Sequence, residues 1–424
     1  MRQCGAVAWR ISPTAILIFG RLTDMDLDRR LLVIADIGVG PPHHGNRSRM
    51  RALLQACREL GYELHFAGVR LTPQERAATL PHVDRWVADF DRPLRRLKAL
   101  RRVASTLLRC TKALLPKSIR RIYVLPSGVD SGFCSHWLPE ARALQQRANY
   151  SRVLVAYVFN SAFLEAFPTA TRKVLDTHDV FADRDARLAE RGLSSEHGWI
   201  SMTPASEIKG LLRADVLIGI QKHESEYFRS VVGSNCAVHT VGYTPDPACL
   251  PFPAGVEPVV GFLAGANALN VAGFEDFAAH VWPVVLRRQP RLQLLIAGGI
   301  CNAIGQLPAN STTMGTLHDA SEFYRRCSVT INPTFAGTGL KIKTIEALAF
   351  GRACVTTPHA AAGLEEFQEH GLFVADSHEK FAASIVSLCQ EPAFAERAGR
   401  SAFDAFTVWR QRSVEELRLA LGGP

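Results

Sequence analysis

Short apolar runs alternate with longer stretches of mixed polarity along most of the chain. The apolar runs predict strands, and the mixed stretches, which begin and end with capping residues, predict helices. Strands are predicted at residues 31–35, 62–67, 152–158, 173–176, 216–220, 259–263, 292–297, near 313, at 329–331 and at 353–355. Helices are predicted at residues 46–60, 207–213, 221–231, 271–288 with a kink at Pro283, 320–327 and over most of 378–421. Such alternation is typical of an α/β fold with parallel sheets.

Five prolines divide this series into two halves. They lie at positions 245, 247, 251, 253 and 258 and predict a stiff, extended linker. A chain of 424 residues is also too long for one compact core and fits two domains. We therefore expect a first domain at residues 29–243, a linker at 244–258, a second domain at 259–405 and a final helix at 406–424 that returns to the first domain. Residues 1–28 read as a disordered leader, because no cleavage site follows the apolar patch at 15–20.

Composition indicates an ordinary globular protein, with 47% apolar and 21% charged residues. The ten cysteines include no C-x-x-C pair, which favours reduced thiols in the cytosol over a zinc site or a disulfide framework. No apolar run approaches the roughly 18 residues that a membrane-spanning helix needs. These observations predict a cytoplasmic protein.

The excess of positive over negative charge lies entirely in the first part of the chain, before residue 250. Residues 250–424 hold 14 Lys and Arg against 16 Asp and Glu, whereas the preceding residues hold 35 against 24. Within the first half, residues 92–121 contain eleven Lys and Arg and no acid, with leucines at three- and four-residue steps. Such a basic amphipathic helix can lie on an anionic membrane surface or hold an anionic glycan, and a helix with one solvated face is the alternative. Aromatic residues for stacking bases are absent, so no nucleic-acid partner is predicted.

The most informative segment is residues 337–357, G-T-G-L-K-I-K-T-I-E-A-L-A-F-G-R-A-C-V-T-T. A glycine turn before a helix presents free N–H groups and the positive end of the helix dipole, which suits a phosphate. Lysines could add positive charge, and a glutamate two turns into the helix could accept hydrogen bonds from sugar hydroxyls. The residues expected to bind a nucleotide phosphate or its sugar are Gly337, Thr338, Gly339, Leu340, Lys341, Lys343 and Glu346.

Taken as a whole, the pattern P-x(5)-G-L-K-x-K-x-x-E-A-L-A-x-G-x-x-x-V-T-T resembles the donor-site segment of GT-B glycosyltransferases of family 4 and its relatives. The resemblance implies two Rossmann-like domains facing a central cleft, with a C-terminal helical crossover. It also implies that Glu346 is the second glutamate of an E-x(7)-E motif and holds the nucleotide ribose. Thr338 stands where the first glutamate is expected, which is a departure from the family pattern.

Two further loops follow predicted strands. The first is Asp176-Thr177-His178-Asp179, in which His178 could contact a sugar hydroxyl or phosphate and Asp179 could orient the imidazole. The resemblance extends here, because family 4 enzymes place a histidine of the first domain near the transferred sugar. The second loop, residues 265–270, could offer backbone amides to a diphosphate at Gly265 and a donor at Asn270. Structural roles for both loops remain the alternative.

A third loop, residues 38–45, follows the first predicted strand and should face the cleft between the domains. His43, His44, Gly45 and Arg47 are therefore candidates for contact with the acceptor or a phosphate. Three D-x-D triplets begin at Asp24, Asp89 and Asp183, but the last two lie in charged, helix-like surroundings. We therefore predict no metal ion and no other cofactor.

These features favour a retaining glycosyltransferase that uses a UDP- or GDP-linked sugar and a glycan or lipid-linked acceptor, in polysaccharide or glycolipid synthesis. His178, Lys343 and Glu346 are the predicted catalytic residues. Residues 92–121 suggest a peripheral position at the inner face of the cell membrane. A non-catalytic GT-B protein that binds or scaffolds is the first alternative, and a nucleotide-sugar epimerase is the second.

Overall fold

Two parallel β-sheets form the framework of the protein. The computed structural model describes residues 29–40, 45–91, 128–190, 200–253, 257–317, 319–336 and 341–423. The first sheet has the strand order β3-β2-β1-β4-β5-β6-β7. Its strands are β1 Arg30–Ala35, β2 Glu63–Val69, β3 Arg85–Phe90, β4 Arg152–Ala156, β5 Arg172–Asp176, β6 Val216–Gly219 and β7 Ala237–Thr240. Strand β1 lies between β2 and β4, so the strand order reverses there.

The second sheet repeats this plan with the order β10-β9-β8-β11-β12-β13. Its strands are β8 Val259–Leu263, β9 Gln293–Ala297, β10 Ser311–Gly315, β11 Val329–Asn332, β12 Ala353–Thr356 and β13 Leu372–Val374. Here the order reverses between β8 and β11. In open parallel sheets, ligands bind outside the carboxyl ends of the strands at such a reversal. Each sheet therefore has one preferred place for a ligand.

Helices pack on the faces of both sheets, as the apolar character of the strands requires. In chain order the helices of the described residues are α1 Gly45–Glu59, α2 Pro73–Thr79, α3 Trp137–Ala148, α4 Arg184–Ala189, α5 Pro204–Leu211, α6 Lys222–Val232, α7 Ala268–His280, α8 Trp282–Arg288, α9 Ser321–Arg326, α10 Ile342–Ala349, α11 His378–Gln390 and α12 Pro392–Leu421. The helix predicted at 271–288 is in fact two helices. Pro283 lies in the first turn of α8, where its missing N–H leaves no helical bond unmade.

The last helix, α12, connects the two domains. Its first turns bury Ala395 and Ala398 in the core of the second domain, and its last turn buries Leu417 and Leu421 in that of the first. Arg152 donates a hydrogen bond to the carbonyl of Leu421 at 3.1 Å. A single helix thus crosses from one domain back to the other.

Two details of the sequence analysis need correction. The D-x-D triplet at Asp89 does not lie in helical surroundings, because Asp89 belongs to strand β3 and pairs there with Arg76 at 2.6 Å. Strands β3, β7 and β13 were not predicted. Each lies at an edge of its sheet. Strands β3 and β7 contain polar residues among the apolar ones, and β13 has only three residues. None of the helices in the described residues is both long and apolar enough to cross a membrane.

Candidate active site

A cavity of about 250 Å³ lies between the two domains. Its walls come from α1 and the linker on one side and from the carboxyl ends of β8 and β9 and from α10 on the other. Its lining residues include Ser48, Arg51, Tyr243, Gly265, Gly298, Lys343 and Glu346. The cavity therefore lies at the carboxyl edge of the second sheet, beside the strand reversal at β8, where the fold favours a ligand.

Glu346 is the buried acid of this cavity. Its Oε1 accepts a hydrogen bond from the Tyr243 hydroxyl at 3.0 Å, and its Oε2 accepts one from Lys343 Nζ at 2.8 Å. Burial, followed by the charge of Glu346, raises the pKa of Tyr243 well above its ordinary value, so the hydroxyl stays a donor. A carboxylate has about four lone-pair sites, so Glu346 retains capacity for hydroxyl donors of a ligand.

The loop after β8 is shaped by its own asparagines. The Asn267 side chain caps α7 by accepting a hydrogen bond from the backbone N–H of Asn270. Asn270 Nδ2 donates to the carbonyl of Gly265 at 3.0 Å. Asn270, predicted to contact a diphosphate, therefore uses one of its N–H donors in a hydrogen bond within the loop. Gly265 itself lines the cavity.

A second glycine turn follows β9. Gly298 has a φ of 93°, and a Cβ at this position would collide with the carbonyl of Ala264. Only glycine fits these two constraints together. Gly298 and Gly299 both line the cavity, so the backbone can approach a ligand closely there. The sequence analysis did not select this turn, although the G-G pair directly after an apolar strand was visible.

Helix α1 forms the wall contributed by the first domain. Its first residue, Gly45, lies against α10, since a Cβ there would be 3.1 Å from Ile342 Cγ1. Arg51 lines the cavity and adds positive charge that the loop after β8 lacks. Arg47, a predicted acceptor or phosphate contact, forms an ion pair with Glu75 at 2.7 Å. His43 and His44 lie outside the described residues.

His178 occupies the carboxyl edge of the first sheet and does not line the 250 Å³ cavity. Its Nε2 lies 3.0 Å from Asp176 Oδ2, and Asp176 Oδ1 accepts a hydrogen bond from Arg49 at 2.7 Å. Burial raises the pKa of Asp176, but the charges of Arg49 and His178 outweigh it and hold that pKa well below its ordinary value. A buried carboxylate, ionised at neutral pH, therefore stands beside the imidazole.

The neighbour of the His178 imidazole is thus Asp176, not Asp179 as the sequence analysis suggested. Asp179 Oδ1 accepts a hydrogen bond from the Val180 N–H, and its Oδ2 lies 3.1 Å from Arg184. Asp176 ends strand β5, so its position is set by the sheet, whereas Asp179 lies in the loop that follows. The carboxylate at the strand end is thus the one that lies 3.0 Å from the imidazole.

His178 is also held by an unusual stack. Tyr157 lies on its ring with 4.2 Å between centroids, and Phe159 lies 4.7 Å from Tyr157. Tyr157 has φ 68° and ψ 139°, and His178 has φ 61°. Non-glycine residues rarely adopt such angles, and strain of this kind concentrates at functional sites. Tyr157 is therefore a candidate site residue that no sequence pattern indicated.

The remaining predicted donor residues fall at the start of α10. Lys341 is the residue before its first turn. Gly337, Thr338, Gly339 and Leu340 lie outside the described residues. The structure thus brings Gly265, Lys343 and Glu346 together around one cavity, while Asn270, Gly45, Arg47, His178 and Asp179 are not among its lining residues.

One group of side chains with metal-binding chemistry occurs among the described residues. Asp276 and His280 on α7 and His378 on α11 place their ligand atoms within 4.8 Å of one another. His378 Nε2 lies 2.7 Å from Asp276 Oδ2, and the two imidazoles stack at 4.9 Å. None of the three lines the cavity, so this group does not bear on the chemistry there.

Comparison with solved structures defines the class of fold. Sucrose-phosphate synthase of Thermosynechococcus elongatus aligns with a TM-score of 0.62 and 14% identity over 92% of this chain and 98% of its own. HepE of Anabaena, in complex with UDP and glucose, aligns at 0.61 and 13% over 93% and 99%. The pneumococcal O-GlcNAc transferase GtfA aligns at 0.60 and 9% over 93% and 99%. The protein has the GT-B fold of two Rossmann-like domains, as predicted.

A family model matches part of the chain. Residues 257–391 match the family described as Glycosyl transferases group 1. This match covers most of the second domain and confirms the resemblance recognised in the sequence. No curated protein matches the chain in sequence.

Proposed function

We propose that this protein is a retaining glycosyltransferase that moves a sugar from a nucleoside diphosphate to a glycan or lipid-linked acceptor, in polysaccharide or glycolipid synthesis. The observation that carries the proposal is the cavity between the domains, where glycine turns meet the Tyr243–Glu346–Lys343 network. The nucleotides in similar structures support it, since HepE contains UDP and glucose and GtfA contains UDP and GlcNAc.

The donor would bind with its nucleotide on the second domain. Glu346 is buried and already oriented by Tyr243 and Lys343, so it can accept hydrogen bonds from ribose hydroxyls without losing further freedom. The glycine turns at Gly265 and Gly298 leave room for a diphosphate next to the backbone. Lys343 and Arg51 supply positive charge from the two sides of the cavity.

Sugar transfer would depend on electrostatic stabilisation rather than on a covalent intermediate. When the glycosidic bond to the phosphate breaks, negative charge grows on the leaving diphosphate, and Lys343 and the N-terminus of α10 oppose it. Departure and attack on the same face of the sugar would retain its configuration. His178, held by Asp176 and Tyr157, would contact the transferred sugar.

We also propose that the reaction needs no metal. Of the three D-x-D triplets, the one at Asp89 is engaged with Arg76 and the one at Asp183 begins α4, and neither lines the cavity. Lys343 and Arg51 would then offset the charge of the diphosphate. Transfer in the presence of EDTA should equal transfer without it, and a loss restored by Mg²⁺ or Mn²⁺ would contradict this part of the proposal.

Titration calorimetry with UDP and GDP is the first test of the function. Micromolar binding of either nucleotide is expected, together with a new glycoside in a mass-spectrometric assay with a panel of UDP- and GDP-sugars. The anomeric configuration of the product, read by NMR, tests retention. No binding at millimolar concentration would favour a non-catalytic GT-B protein instead. Release of an isomerised nucleotide sugar without transfer would favour an epimerase.

Residues 92–121 carry the second part of the proposal, that the first domain meets an anionic membrane surface from the cytoplasmic side. This segment lies outside the described residues, and its eleven Lys and Arg without an acid are the support. Each basic residue near an anionic bilayer is worth about 1 kcal/mol, screened by salt. Replacing Arg95, Arg96, Arg101 and Arg102 with Ser should weaken binding to phosphatidylserine vesicles, most strongly at low salt. If wild-type protein does not sediment with such vesicles, a soluble anionic glycan acceptor becomes the better explanation.

A further inference from the structure

Glu224 is a buried acid at the carboxyl edge of the first sheet that the sequence analysis did not select. It is the third residue of α6, the helix that follows β6. Strand β6 pairs with β5, and the Thr177 N–H donates to the carbonyl of Ile218 at 3.1 Å. The first turn of α6 therefore lies beside the loop that carries His178 and Asp179.

One oxygen of Glu224 is unused. Its Oε1 accepts a hydrogen bond from Gln221 Nε2 at 3.0 Å. Its Oε2 is buried and has no hydrogen-bond partner within the part of the chain that the structure describes. The residue is 6% exposed, so only a small part of its surface contacts bulk water. A buried polar atom without a partner destabilises the folded protein and therefore calls for an explanation.

Glu207 shows what a structural glutamate of the same domain looks like. It is fully buried, and its two oxygens accept hydrogen bonds from the Phe181 N–H at 2.7 Å and from the Tyr227 hydroxyl at 3.0 Å. The protein thus completes the hydrogen bonds of Glu207 from its own groups. It leaves those of Glu224 incomplete, although both residues stand on neighbouring helices of one sheet.

The surroundings of Glu224 connect the two domains. Gln221, which holds its Oε1, packs against Gly363 of the second domain. Asp179, Arg49 and Lys341 all act on its charge, and Lys341 is the residue at the start of α10. Burial, and then the charge of Asp179, raise the pKa of Glu224 to about 8. The carboxyl group therefore stands near Asp179 of the first domain and near Lys341 at the start of α10.

We propose that Glu224 Oε2 forms a hydrogen bond with a hydroxyl group of the transferred sugar and so selects the sugar of the donor. A hydroxyl is the fitting ligand, because it can donate to an ionised carboxylate and accept from a protonated one, whereas a phosphate would be repelled by the ionised form. The position near Asp179, in the loop that carries His178, and near Lys341 favours the transferred sugar over more distant parts of either substrate. This inference rests on the proposed function.

The test compares Glu224→Met with wild type, because methionine keeps the length of the side chain and removes both oxygens. With the nucleotide sugar that wild type uses best, kcat/KM should fall about 10- to 100-fold, since a lost hydrogen bond to a substrate hydroxyl has effects of this size. Affinity for UDP or GDP without a sugar should stay within about twofold, because the contact is to the sugar. Glu224→Gln, which keeps an oxygen, should recover most of the rate.

Two further comparisons distinguish a direct contact between Glu224 and the substrate from a structural role of this residue. Glu226→Gln is the matched control, as this glutamate is exposed on the same helix and lies 3.9 Å from Lys222, and its kinetics should equal those of wild type. Donors lacking one hydroxyl each should then be tested. One of them should slow wild type but not Glu224→Met, which identifies the hydroxyl that is bound.

The outcomes are distinguishable. Wild type that turns over no nucleotide sugar would overturn the proposed function, and this inference with it. Active wild type with unchanged kinetics in Glu224→Met would overturn this inference alone. So would an equal loss of affinity for the bare nucleotide, or an equal penalty of every deoxy donor in both proteins, because either result would assign Glu224 a structural role.

Discussion

The carboxyl edges of the two sheets have the same topology and different chemistry. The edge of the first sheet carries acids and aromatic rings at its strand ends: Asp36, Tyr157, Asp176, His178, Asp179 and Glu224. The edge of the second sheet presents small neutral residues after β8 and β9, and Lys343 and Glu346 stand beside them on α10. Sugar hydroxyls suit the first set, and a diphosphate against bare backbone suits the second.

Backbone strain follows the same division. On the second sheet the positive φ angle after β9 belongs to Gly298, at no steric cost. On the first sheet Tyr157 and His178 hold positive φ angles with full side chains, at a cost on the order of 1–3 kcal/mol each. The first edge therefore keeps full side chains at its strained positions, whereas the second has a glycine there, which leaves room for a ligand against the backbone. Breaking each edge should therefore have different consequences.

The largest effect is expected at Asp176. Asp176→Ala would leave Arg49 buried without its ionic partner, which typically costs about 3–5 kcal/mol of the free energy of unfolding. Urea unfolding followed by fluorescence measures it. The double variant Asp176→Leu, Arg49→Met should lose less than the single one, because no unpaired charge remains. A loss below about 1 kcal/mol in the single variant would mean that water reaches Arg49.

The contribution of Asp176 to the free energy of unfolding depends on pH in a definite direction. The folded protein holds the pKa of Asp176 below its unfolded value near 3.8, so the unfolded chain binds the proton more readily. The contribution of this carboxylate is therefore complete above the unfolded pKa and is lost as the pH falls through the folded one. Asp176→Asn should remove that part of the acid sensitivity.

On the second edge the largest effect is expected at Glu346. Glu346→Ala should weaken binding of the nucleotide by about 2–4 kcal/mol, or one and a half to three decades, because charge-assisted hydrogen bonds to ribose are lost. Calorimetry with UDP and GDP measures the change. Glu369→Ala, an exposed glutamate of the same domain, should bind like wild type. Turnover of Glu346→Ala at the wild-type rate would contradict the ribose assignment.

Glu346 and Asp176 show which parts of the site the sequence alone predicts and which it does not. Glu346 was selected because its partner Lys343 and the glycine turn lie within one local motif. Its second partner, Tyr243, is 103 positions away, and Arg49 is 127 positions from Asp176. Local patterns predict strands, helices and turns, whereas contacts of this range exist only once the sheets have formed. The sequence analysis named Asp179 beside His178 and not Asp176, because the place of Asp176 is set by the pairing of β5 in the sheet.

Two other candidate site residues could not be predicted from local sequence patterns. Tyr157 occupies a backbone conformation that its residue type disfavours, so no propensity could indicate it. Glu224 reads as an ordinary acid in the first turn of a helix, a place where acids are common. Its distinguishing property is an unused oxygen, and that depends on every neighbour. The fold was therefore predicted more completely than the site.

An intermediate effect is expected at Lys343. Lys343→Ala should lower kcat more than it raises KM, because charge on the leaving diphosphate grows in the transition state. Removing one such stabilising group typically costs roughly 10²–10³ in kcat. Steady-state kinetics at saturating acceptor separates the two constants. Arg51→Ala is the comparison from the opposite wall, and an effect of Lys343→Ala on KM alone would mean that the lysine only binds the ground-state donor.

The smallest effect is expected in the pH dependence of stability at Glu224. Folding raises the pKa of this carboxyl to about 8, so between pH 4.5 and about 8 the folded protein binds more protons here than the unfolded chain. The sign is thus opposite to that of Asp176, and stability should fall as the pH rises through this window. Glu224→Gln cannot ionise, so its melting temperature should exceed that of wild type at pH 8 and approach it at pH 5. Melting curves of both proteins across this range measure the difference, and parallel curves would mean that Glu224 is ionised throughout. In that case the charge on the first edge is permanent, and the contrast between the two sheet edges is sharper than proposed.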